Sequence, residues 1–340
     1  MSRVLLTGAT GFIGGRTAAH LRRAGHEVLC PVRSTSGTLS ALEVVQLEGG
    51  FDAVTPQALA GVEVAIHAAA TVGPDLEAGV AVNVEGTRRV LAACEQAGVP
   101  TLVHVSTTSV YDRPDSGDRA VTEETPLVPL GDEAAGVYAR TKAEAERVLH
   151  GADATAVAIL RPPAVLGAGP TSTWGRRIPG RVSAGEAVPL QRGSTFAFVH
   201  VDDLVDAILA AAGLDPDATA SVPGGVPGEV AGGVPGEVAD ELHGEEVPGE
   251  VADELHGMRV ANVVGGHVTV ADYLDAVVDL LPARPPAQPG REETGWTGRF
   301  STDQLPRLFG VAPYRSFARG MAEIANDLTS TADDEQERGS

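Results

Sequence analysis

The sequence predicts an α/β fold with a doubly wound parallel sheet. Within the first 160 residues, short apolar runs alternate with segments of helical periodicity, the pattern of a chain that passes repeatedly between strand and helix. The apolar runs contain few polar positions, as expected for strands that helices cover on both faces. Two helical segments stop at Gly25 and Gly98, and glycine commonly follows a helix end.

The strand predictions rest on β-branched and apolar residues bounded by turn-forming residues. They are Val4 to Thr7, Glu27 to Val32, Val44 to Leu47, Val64 to His67, Leu102 to Ser106 and Ala156 to Leu160. Helices are expected between them at residues 12–24, 56–60, 79–97 and 132–150. Beyond residue 160 proline and glycine become frequent, and a strand from Phe196 to His200 then leads into an amphipathic helix at 202–212.

The first predicted strand runs directly into three glycines, Gly8, Gly11 and Gly14, with two residues between each. Glycines let the backbone turn tightly and approach a pyrophosphate, whose charge is held by the N–H groups at the start of the following helix. Because this turn closes the first strand of a strand–helix–strand pattern, it predicts a Rossmann-type dinucleotide site rather than an ordinary glycine turn.

The second predicted strand ends at Val32, and Arg33 follows it. At this place an acidic residue binds the ribose 2′-hydroxyl of NAD, whereas an arginine accommodates the 2′-phosphate of NADP. Arg33 therefore favours NADP, and NAD remains the alternative because an arginine at a strand end can also simply face solvent.

Tyr138 and Lys142 lie four residues apart in the helix expected at 132–150, so both side chains share one helical face. A free tyrosine has a pKa near ~10, and lowering it to about 7 requires roughly 4 kcal/mol of differential stabilisation. A neighbouring lysine cation together with an oxidised nicotinamide would supply this. The spacing alone is also compatible with a solvated helix face.

A hydroxyl-rich turn, Ser106-Thr107-Thr108-Ser109, follows the fifth predicted strand. Ligands of open parallel sheets bind outside the carboxyl ends of the strands, so this turn and the glycine turn are expected at one edge. A hydroxyl there can hold a substrate carbonyl for proton transfer from a tyrosine.

These residues together resemble the extended short-chain dehydrogenases/reductases, which include 3-beta-hydroxysteroid dehydrogenases, dihydroflavonol reductase-like ketoreductases and NAD-dependent epimerases and dehydratases. The resemblance extends over nearly the whole chain outside 222–257. The segments that carry it are Thr7 to Gly14, His67 to Ala70, Asn83 to Thr87, the hydroxyl turn, Tyr138 with Lys142, Leu160 to Pro163, His200 to Leu204, and Leu308 to Gly320.

The resemblance implies a role for each matching residue. Tyr138 is the expected general acid/base, Lys142 binds the nicotinamide ribose and lowers the tyrosine pKa, and Thr107 orients the substrate, with Ser109 as the second candidate. The implied cofactor-binding residues are Gly8, Thr10, Gly11, Phe12, Ile13, Gly14, Arg33, Ala68, Ala69, Ala70, Asn83, Tyr138, Lys142, Pro162 and Pro163.

The sequence departs from the family pattern after the third predicted strand. Many relatives carry an aspartate there that binds the adenine amino group, whereas Gly50 occupies this place. Asp52 is the nearest acidic residue and is expected to substitute only if the loop shifts.

The chain divides into a dinucleotide-binding domain and a smaller C-terminal substrate-binding region. Residues 1–165 are assigned to the first, with 196–212 and about 258–264 returning to it, and residues 166–195 and 213–325 to the second. The segment 222–257 repeats Val-Pro-Gly-Glu-Val-Ala-Asp-Glu-Leu-His-Gly, which predicts a mobile acidic insertion or, alternatively, an interaction loop. A disordered tail is expected at 326–340.

Composition limits the partners. The net charge is −21 and no basic stripe occurs, which argues against nucleic acid. No signal-type segment and no stretch near the ~18 apolar residues of a membrane span occur, so a cytoplasmic location without membrane contact is expected.

Cys30, Cys94 and the nine histidines show no metal-ligand spacing, and no metal is expected. A homodimer through the helices at 79–97 and 132–150 is possible by analogy.

The favoured function is a ketoreductase or alcohol dehydrogenase acting on a small molecule through hydride transfer. A nucleotide-sugar epimerase or dehydratase is the alternative, with Arg176, Arg177, Arg181 and Arg192 as its possible phosphate partners. A non-catalytic cofactor-binding sensor is the third hypothesis, but it has no use for a proton-donating tyrosine.

Overall fold

The computed structural model describes residues 1–113, 120–216, 257–281, 283, 285 and 288–339. The repeat predicted to be a mobile insertion lies outside these residues except for Gly257. The strands are β1 (Arg3–Thr7), β2 (Glu27–Val32), β3 (Val45–Glu48), β4 (Val64–His67), β5 (Thr101–Val105), β6 (Ala156–Arg161), β7 (Ala164–Leu166), β8 (Thr195–His200), β9 (Arg259–Asn262) and β10 (Gly266–Thr269).

The helices follow the expected alternation with the strands. They are α1 (Phe12–Arg23), α2 (Gly37–Ala41), α3 (Leu76–Gly79), α4 (Gly86–Ala97), α5 (Val137–Leu149), α6 (Ile178–Ser183), α7 (Val201–Ala211), α8 (Val270–Leu280), α9 (Gln304–Phe309) and α10 (Phe317–Gly339). The predicted helix at 56–60 is wrong, because these residues form turns. The helix predicted at 79–97 is not a regular α-helix throughout. Val80–Glu85 form a π-helical segment, and α4 begins after it at Gly86.

The central sheet has the order β3-β2-β1-β4-β5-β6-β9, and every neighbouring pair is parallel. The predicted Rossmann-type doubly wound sheet is therefore confirmed. The strand order reverses between β1 and β4, and the crevice at such a reversal is where open α/β sheets bind ligands.

Successive residues of each strand point to opposite faces, which separates the core into two layers. Residues such as Leu6 and Val103 pack with α1 and α7 on one face, while Leu5 and Leu102 pack with α4 and α5 on the other. On this second face the carboxyl ends of the strands change from apolar to polar. We call the resulting buried set the polar row, and its members are Thr7, His67, His104, Arg161 and Asn262.

A second, three-stranded sheet of order β10-β8-β7 is covered by α6, α8 and α10. Within residues 196–212, α7 packs on the central sheet, whereas β8 belongs to the second sheet. Phe196 and Phe198 explain the difference, because both rings pack in the core of the second sheet. Residues 259–262 form β9, which extends the central sheet beside β6.

The segment from residue 326, which the sequence predicts to be a disordered tail, is occupied by the end of α10, which continues to Gly339. Ile324 and Leu328 pack in the core of the second sheet, and Asp327 lies 3.6 Å from Arg176. These contacts stabilise the helix beyond residue 326, which acidic composition alone does not indicate. Within the described residues, no helix is long and apolar enough to cross a membrane.

Candidate active site

A cavity of about 640 Å³ opens at the carboxyl ends of the central strands. The sequence-predicted residues that line it are Gly8, Thr10, Gly11, Arg33, Ala68, Ala69 and Ala70. These residues come from the turns after β1, β2 and β4, which the parallel sheet brings to one edge. The cavity therefore lies where the glycine motif predicted a dinucleotide.

The glycine turn is built so closely that side chains are excluded from it. Gly8 has a φ of +76°, and a Cβ atom there would lie 2.6 Å from the Ala69 nitrogen. A Cβ atom on Gly14 would lie 2.6 Å from the Gly8 carbonyl carbon. The first bond of α1 joins the Gly15 N–H to the Gly11 carbonyl at 2.8 Å, so the preceding helical N–H groups are not used within the helix. The turn thus fits a pyrophosphate at the positive end of α1.

Gly14→Ala tests this packing. The added methyl group meets backbone rather than a movable side chain, so the turn after β1 must shift and we expect a large loss of NADH and NADPH binding. Fluorescence titration measures this, with Gly98→Ala as control, because a Cβ atom on Gly98 meets nothing within 4 Å. Since Gly98 has a φ of +71°, the control should lose some stability but keep cofactor affinity. Undiminished affinity in Gly14→Ala would contradict the assignment.

Eight of the predicted cofactor-binding residues are not among those that line the cavity, namely Phe12, Ile13, Gly14, Asn83, Tyr138, Lys142, Pro162 and Pro163. Phe12 and Ile13 open α1 and pack partly buried against the core. The ring of Phe12 lies close to Gly169, where a Cβ atom would be 2.9 Å from it. Their contribution to a cofactor is therefore restricted to the backbone of the first helical turn.

The far end of the cavity contains a contact that the sequence did not reveal. Gly50 and Asp52 both line the cavity, but the Asp52 carboxylate is hydrogen-bonded to Arg89 of α4. Arg33 lines the same end and packs near Gly50, where a Cβ atom would be 3.6 Å from the arginine Cγ. Many relatives have an aspartate here that binds the adenine amino group. In this chain Gly50 stands at that position, and the nearby carboxylate of Asp52 is paired with Arg89.

Asn83 supports the cavity wall instead of lining it. Its amide oxygen accepts from the Thr71 N–H at 2.8 Å, and its nitrogen donates to the Thr71 carbonyl and to the Thr141 hydroxyl. The side chain is 1% exposed and its hydrogen-bonding groups are engaged. Asn83 therefore fixes the segment after β4 to α5, which differs from the direct cofactor contact that the motif implied.

The neighbours of His67, a member of the polar row, determine which of its two ring nitrogens carries the proton. The Thr87 hydroxyl donates to the Asn83 carbonyl at 2.6 Å and so accepts from His67 Nε2 at 3.0 Å. His67 Nδ1 then accepts from the Thr7 hydroxyl at 2.7 Å, and that hydroxyl accepts from the Ala69 N–H. Burial and the charge of Lys142 lower the pKa of His67 to about 3, so it stays neutral.

Lys142 lies on α5 and is 1% exposed. Its amine is 2.7 Å from the Val105 carbonyl oxygen and 2.8 Å from His104 Nε2. Burial lowers the pKa of Lys142 to about 7, an effect that the nearby Glu146 partly opposes. The amine therefore titrates near neutral pH.

Tyr138 and Thr107 meet at the carboxyl end of β5. The Thr107 side chain is close enough to Tyr138 to lower the tyrosine pKa. The Thr107 hydroxyl donates to the Ser109 hydroxyl at 3.3 Å, and its oxygen accepts from the Ser109 N–H at 3.1 Å. The following Thr108 N–H donates to the Pro162 carbonyl at 2.9 Å, which joins this turn to the end of β6. The predicted catalytic hydroxyls thus lie together, with Pro162 and Pro163 beginning the adjacent segment.

The expected lowering of the tyrosine pKa is not observed in the protein alone. Burial raises the pKa of Tyr138 to about 12, and its hydrogen bond with Thr107 only partly offsets this. The amine of Lys142 is held by β5 and is not among the causes of the tyrosine shift. The positive charge of a bound oxidised cofactor would lower the pKa of Tyr138.

A second buried network lies beside the first on the same sheet face. The Glu146 carboxylate of α5 accepts from Arg161 Nη2 at 2.5 Å and from the Ser106 hydroxyl. Arg161 also donates to the Tyr111 hydroxyl at 2.9 Å, and that hydroxyl donates to Asn262 at 2.6 Å. Since Ser106 precedes Thr107, this network fixes the strand that presents the catalytic turn.

Three of the four arginines considered as phosphate partners have acidic partners. Arg176 pairs with Asp327, Arg181 pairs with Glu186, and Arg192 pairs with Asp275 and Glu292. Arg177 is exposed. Because the paired guanidinium groups are already neutralised, the segment offers less free positive charge than its sequence indicates.

A cluster of His200, Asp202 and Glu323 has ligand-type atoms within 4.8 Å of one another. His200 Nε2 faces Glu323 at 2.9 Å, whereas the opposite atom Nδ1 accepts from the Asp202 N–H at 3.2 Å. The Asp202 backbone N–H and the Glu323 carboxylate therefore bind opposite ring nitrogens of His200, which suits a hydrogen-bonded link between α7 and α10.

The residues that sequence reasoning missed are His104, Glu146, Arg161, Arg89 and Thr87. For His104 and Arg161 the available signal was an ionisable residue in an otherwise apolar strand, as in Thr-Leu-Val-His-Val of β5. Glu146, Arg89 and Thr87 lie on helices and gave no such signal. A buried histidine in such a strand needs a hydrogen-bond partner, which directs attention to the facing helix.

Comparison with known proteins agrees with this geometry. The model of the NAD dependent epimerase/dehydratase family matches residues 4–219. The chain belongs to this family, and with it to the extended short-chain dehydrogenases/reductases that its motifs resemble.

Two curated relatives indicate the range of activities in the family. A 2-alkyl-3-oxoalkanoate reductase of Stenotrophomonas maltophilia is 37% identical over 175 residues, which are 49% of this chain and 52% of the relative. A 3 beta-hydroxysteroid dehydrogenase/Delta 5-->4-isomerase of Mycobacterium tuberculosis is 30% identical over 239 residues, 65% of this chain and 63% of the relative. The chain thus spans between half and two thirds of these relatives.

Similar solved structures share the fold. MoeE5 in complex with UDP-glucose and NAD has a TM-score of 0.71 at 23% identity, covering 97% of this chain and 99% of that chain. The UDP-glucuronic acid 4-epimerase from Bacillus cereus, in complex with UDP-glucuronic acid and NAD, has a TM-score of 0.68 at 19% identity, with coverage of 97% and 99%. Both proteins bind NAD in the solved complexes.

Proposed function

We propose that this chain is an NAD(P)-dependent oxidoreductase that moves a hydride between the cofactor and a carbonyl or secondary alcohol carbon of a small molecule. The observation that carries the proposal is that Thr107, Tyr138 and Lys142 come together at the carboxyl end of β5, where Lys142 binds the Val105 carbonyl. The two hydroxyls lie at the same sheet edge as the glycine turn and its cavity.

In the reducing direction, Tyr138 gives its hydroxyl proton to the carbonyl oxygen, while Thr107 holds this oxygen by a hydrogen bond. The bound nicotinamide cofactor supplies the hydride to the carbonyl carbon. In the oxidising direction the phenolate accepts the alcohol proton, and Lys142 stabilises this negative charge while it is an ammonium ion.

The named relatives support a reductase. The alkanoate relative is named a reductase and the steroid relative a dehydrogenase and isomerase, so both names include an oxidation or a reduction. Epimerase chemistry is the second candidate, because the similar solved structures include nucleotide-sugar epimerases. The acidic partners of Arg176, Arg181 and Arg192 favour the reductase, since a nucleoside diphosphate requires unpaired positive charge.

A screen of the purified protein with NADH and NADPH against ketones, 3-oxo acids, steroids and nucleotide sugars tests the function. We expect loss of nicotinamide absorbance with a carbonyl compound, because a reductase consumes its cofactor. Conversion of a nucleotide sugar without net cofactor consumption would instead establish the epimerase.

NADP is the proposed cofactor because Arg33 lines the cavity beside Gly50. Arg33→Ala should weaken NADPH binding by about tenfold or more and leave NADH binding nearly unchanged, since only NADPH has the 2′-phosphate. Fluorescence titration of both cofactors measures this, with the exposed Arg88→Ala as the matched control. Equal losses for the two cofactors would refute the 2′-phosphate contact and favour NAD.

A further inference from the structure

Lys142 is the only lysine among the 25 lysine and arginine residues of the chain. Arginine stays charged at any physiological pH, whereas a lysine amine changes its protonation when it is buried. The one lysine is also a cation with 1% exposure, held between α5 and β5. Among the lysine and arginine side chains, Lys142 is therefore the one able to lose its charge near neutral pH, and it lies in an environment that promotes the loss.

Two acceptors from neighbouring residues of β5 hold the amine. The Val105 carbonyl oxygen is 2.7 Å from Lys142 Nζ, and His104 Nε2 is 2.8 Å from it. An ammonium ion has three N–H donors, so these contacts orient it and leave one donor for a ligand.

His104 can accept from an ammonium ion only while its own ring is neutral. Burial, the charge of Lys142 and the neighbouring His67 hold the pKa of His104 well below its usual value. When Nε2 accepts, the ring proton must lie on Nδ1, which has no hydrogen-bond partner among the described residues. The tautomer of His104 is therefore set by Lys142 and not by another contact.

We propose that His104 is a positioning residue that fixes the Lys142 amine at the end of β5 and favours its protonated form. The use of this amine, for a ribose hydroxyl and for the Tyr138 phenolate, rests on the proposed function. The contact between His104 and Lys142 does not, so it can be tested without a substrate.

The other groups around the amine are accounted for. From α5, Glu146 raises the pKa of Lys142, and its carboxylate is engaged by Arg161 and Ser106. Tyr138 lies one turn earlier on the same helix. From β4, His67 uses both ring nitrogens for Thr7 and Thr87. In the described part of the chain, His104 is the titratable side chain hydrogen-bonded to the amine.

The sign of the effect follows from the acceptor. A neutral acceptor stabilises the ammonium form, so its removal must lower the pKa of Lys142 further below its present value near 7. His104→Phe keeps a ring of similar size without the acceptor. His104→Gln cannot titrate, but its amide oxygen can accept from the ammonium and should restore the wild-type value.

The single lysine makes the measurement direct. Protein labelled with carbon-13 at the lysine ε position gives one side-chain signal, whose shift is followed from about pH 5 to 10 by NMR. We expect a wild-type midpoint near 7, a midpoint lower by about one pH unit in His104→Phe, and a midpoint close to wild type in His104→Gln. His67→Gln alters the neighbouring buried histidine and should leave the midpoint nearly unchanged.

Two outcomes overturn the proposal: a wild-type midpoint in His104→Phe, or an equal decrease in His104→Gln. If the phenylalanine variant does not fold, nitrogen-15 NMR of the wild-type histidines decides instead. Below the Lys142 midpoint His104 should carry its proton on Nδ1, and a proton on Nε2 would exclude the contact. A failed substrate screen with these titrations intact would refute the proposed function and leave the positioning role standing.

Discussion

Replacement of Tyr138 by phenylalanine is expected to lower turnover by about two to four orders of magnitude, the usual contribution of a positioned general acid. The phenyl ring keeps the packing of the partly buried side chain but has no proton to donate. Cofactor affinity should remain nearly unchanged, because the glycine turn and Arg33 are untouched. Steady-state kinetics with a substrate from the screen, together with NADPH titration, separate these effects.

Tyr314→Phe is the matched control, since it makes the same chemical change on a side chain that is 72% exposed. It should keep wild-type turnover. If Tyr138→Phe also kept it, proton transfer would have to come from another group, and the reductase mechanism built on Tyr138 would be excluded.

The pH profile should reflect the two buried groups differently. The pKa of Tyr138 is raised to about 12 in the protein alone, so in the reducing direction the phenol remains protonated throughout the neutral range. Lys142 is lowered to about 7 and loses its charge within that range. The protonation of Lys142 therefore changes within the neutral range, whereas that of Tyr138 does not.

The sequence predicted the parts of the site that depend on local pattern. The glycine turn follows directly from β1, and the spacing of Tyr138 and Lys142 places them on one face of α5. The hydroxyl turn was placed from its position after β5, whereas the choice of Thr107 within it came from the family resemblance. A single element and its carboxyl end were therefore sufficient to place each part, but not to choose between Thr107 and Ser109.

The contacts between elements were not predictable in this way. The pairing of His104 with Lys142 depends on the register of β5 and on the rotation of α5 against the sheet. Asp52 meets Arg89 only after the loop following β3 packs near α4. Similarly, the apolar pattern of β8 predicts a strand but does not tell which of two sheets it joins.

The polar row shows why such contacts cluster at the site. Side chains two positions apart in a strand lie on the same face, so Ala65 and His67 share a face in β4, as Leu102 and His104 do in β5. This face is therefore apolar along the strands and polar only at their carboxyl ends. Buried polar groups require partners, and α4 and α5 provide Thr87 and Lys142. The hydrogen bonds that satisfy these buried groups stabilise the layer, and they also hold in place the residues at the sheet edge where the cavity lies.

The buried pair of Glu146 and Arg161 should dominate stability in this layer. Arg161→Met leaves a carboxylate that is 0% exposed without its cation, and loss of one member of a buried pair typically costs about 3–5 kcal/mol. Denaturant unfolding measures the cost. Arg88→Met, which breaks the exposed pair with Glu85, should cost about 0–1 kcal/mol under the same conditions.

The double variant Glu146→Leu with Arg161→Met separates charge from packing. With both charges removed, most of the lost stability should return, because apolar replacements of buried pairs are often neutral or stabilising. Turnover should stay low, since the Ser106 hydroxyl has lost its acceptor next to Thr107. Recovery of turnover together with stability would show that the pair only holds the fold, whereas stability without turnover would show that it also positions the catalytic turn.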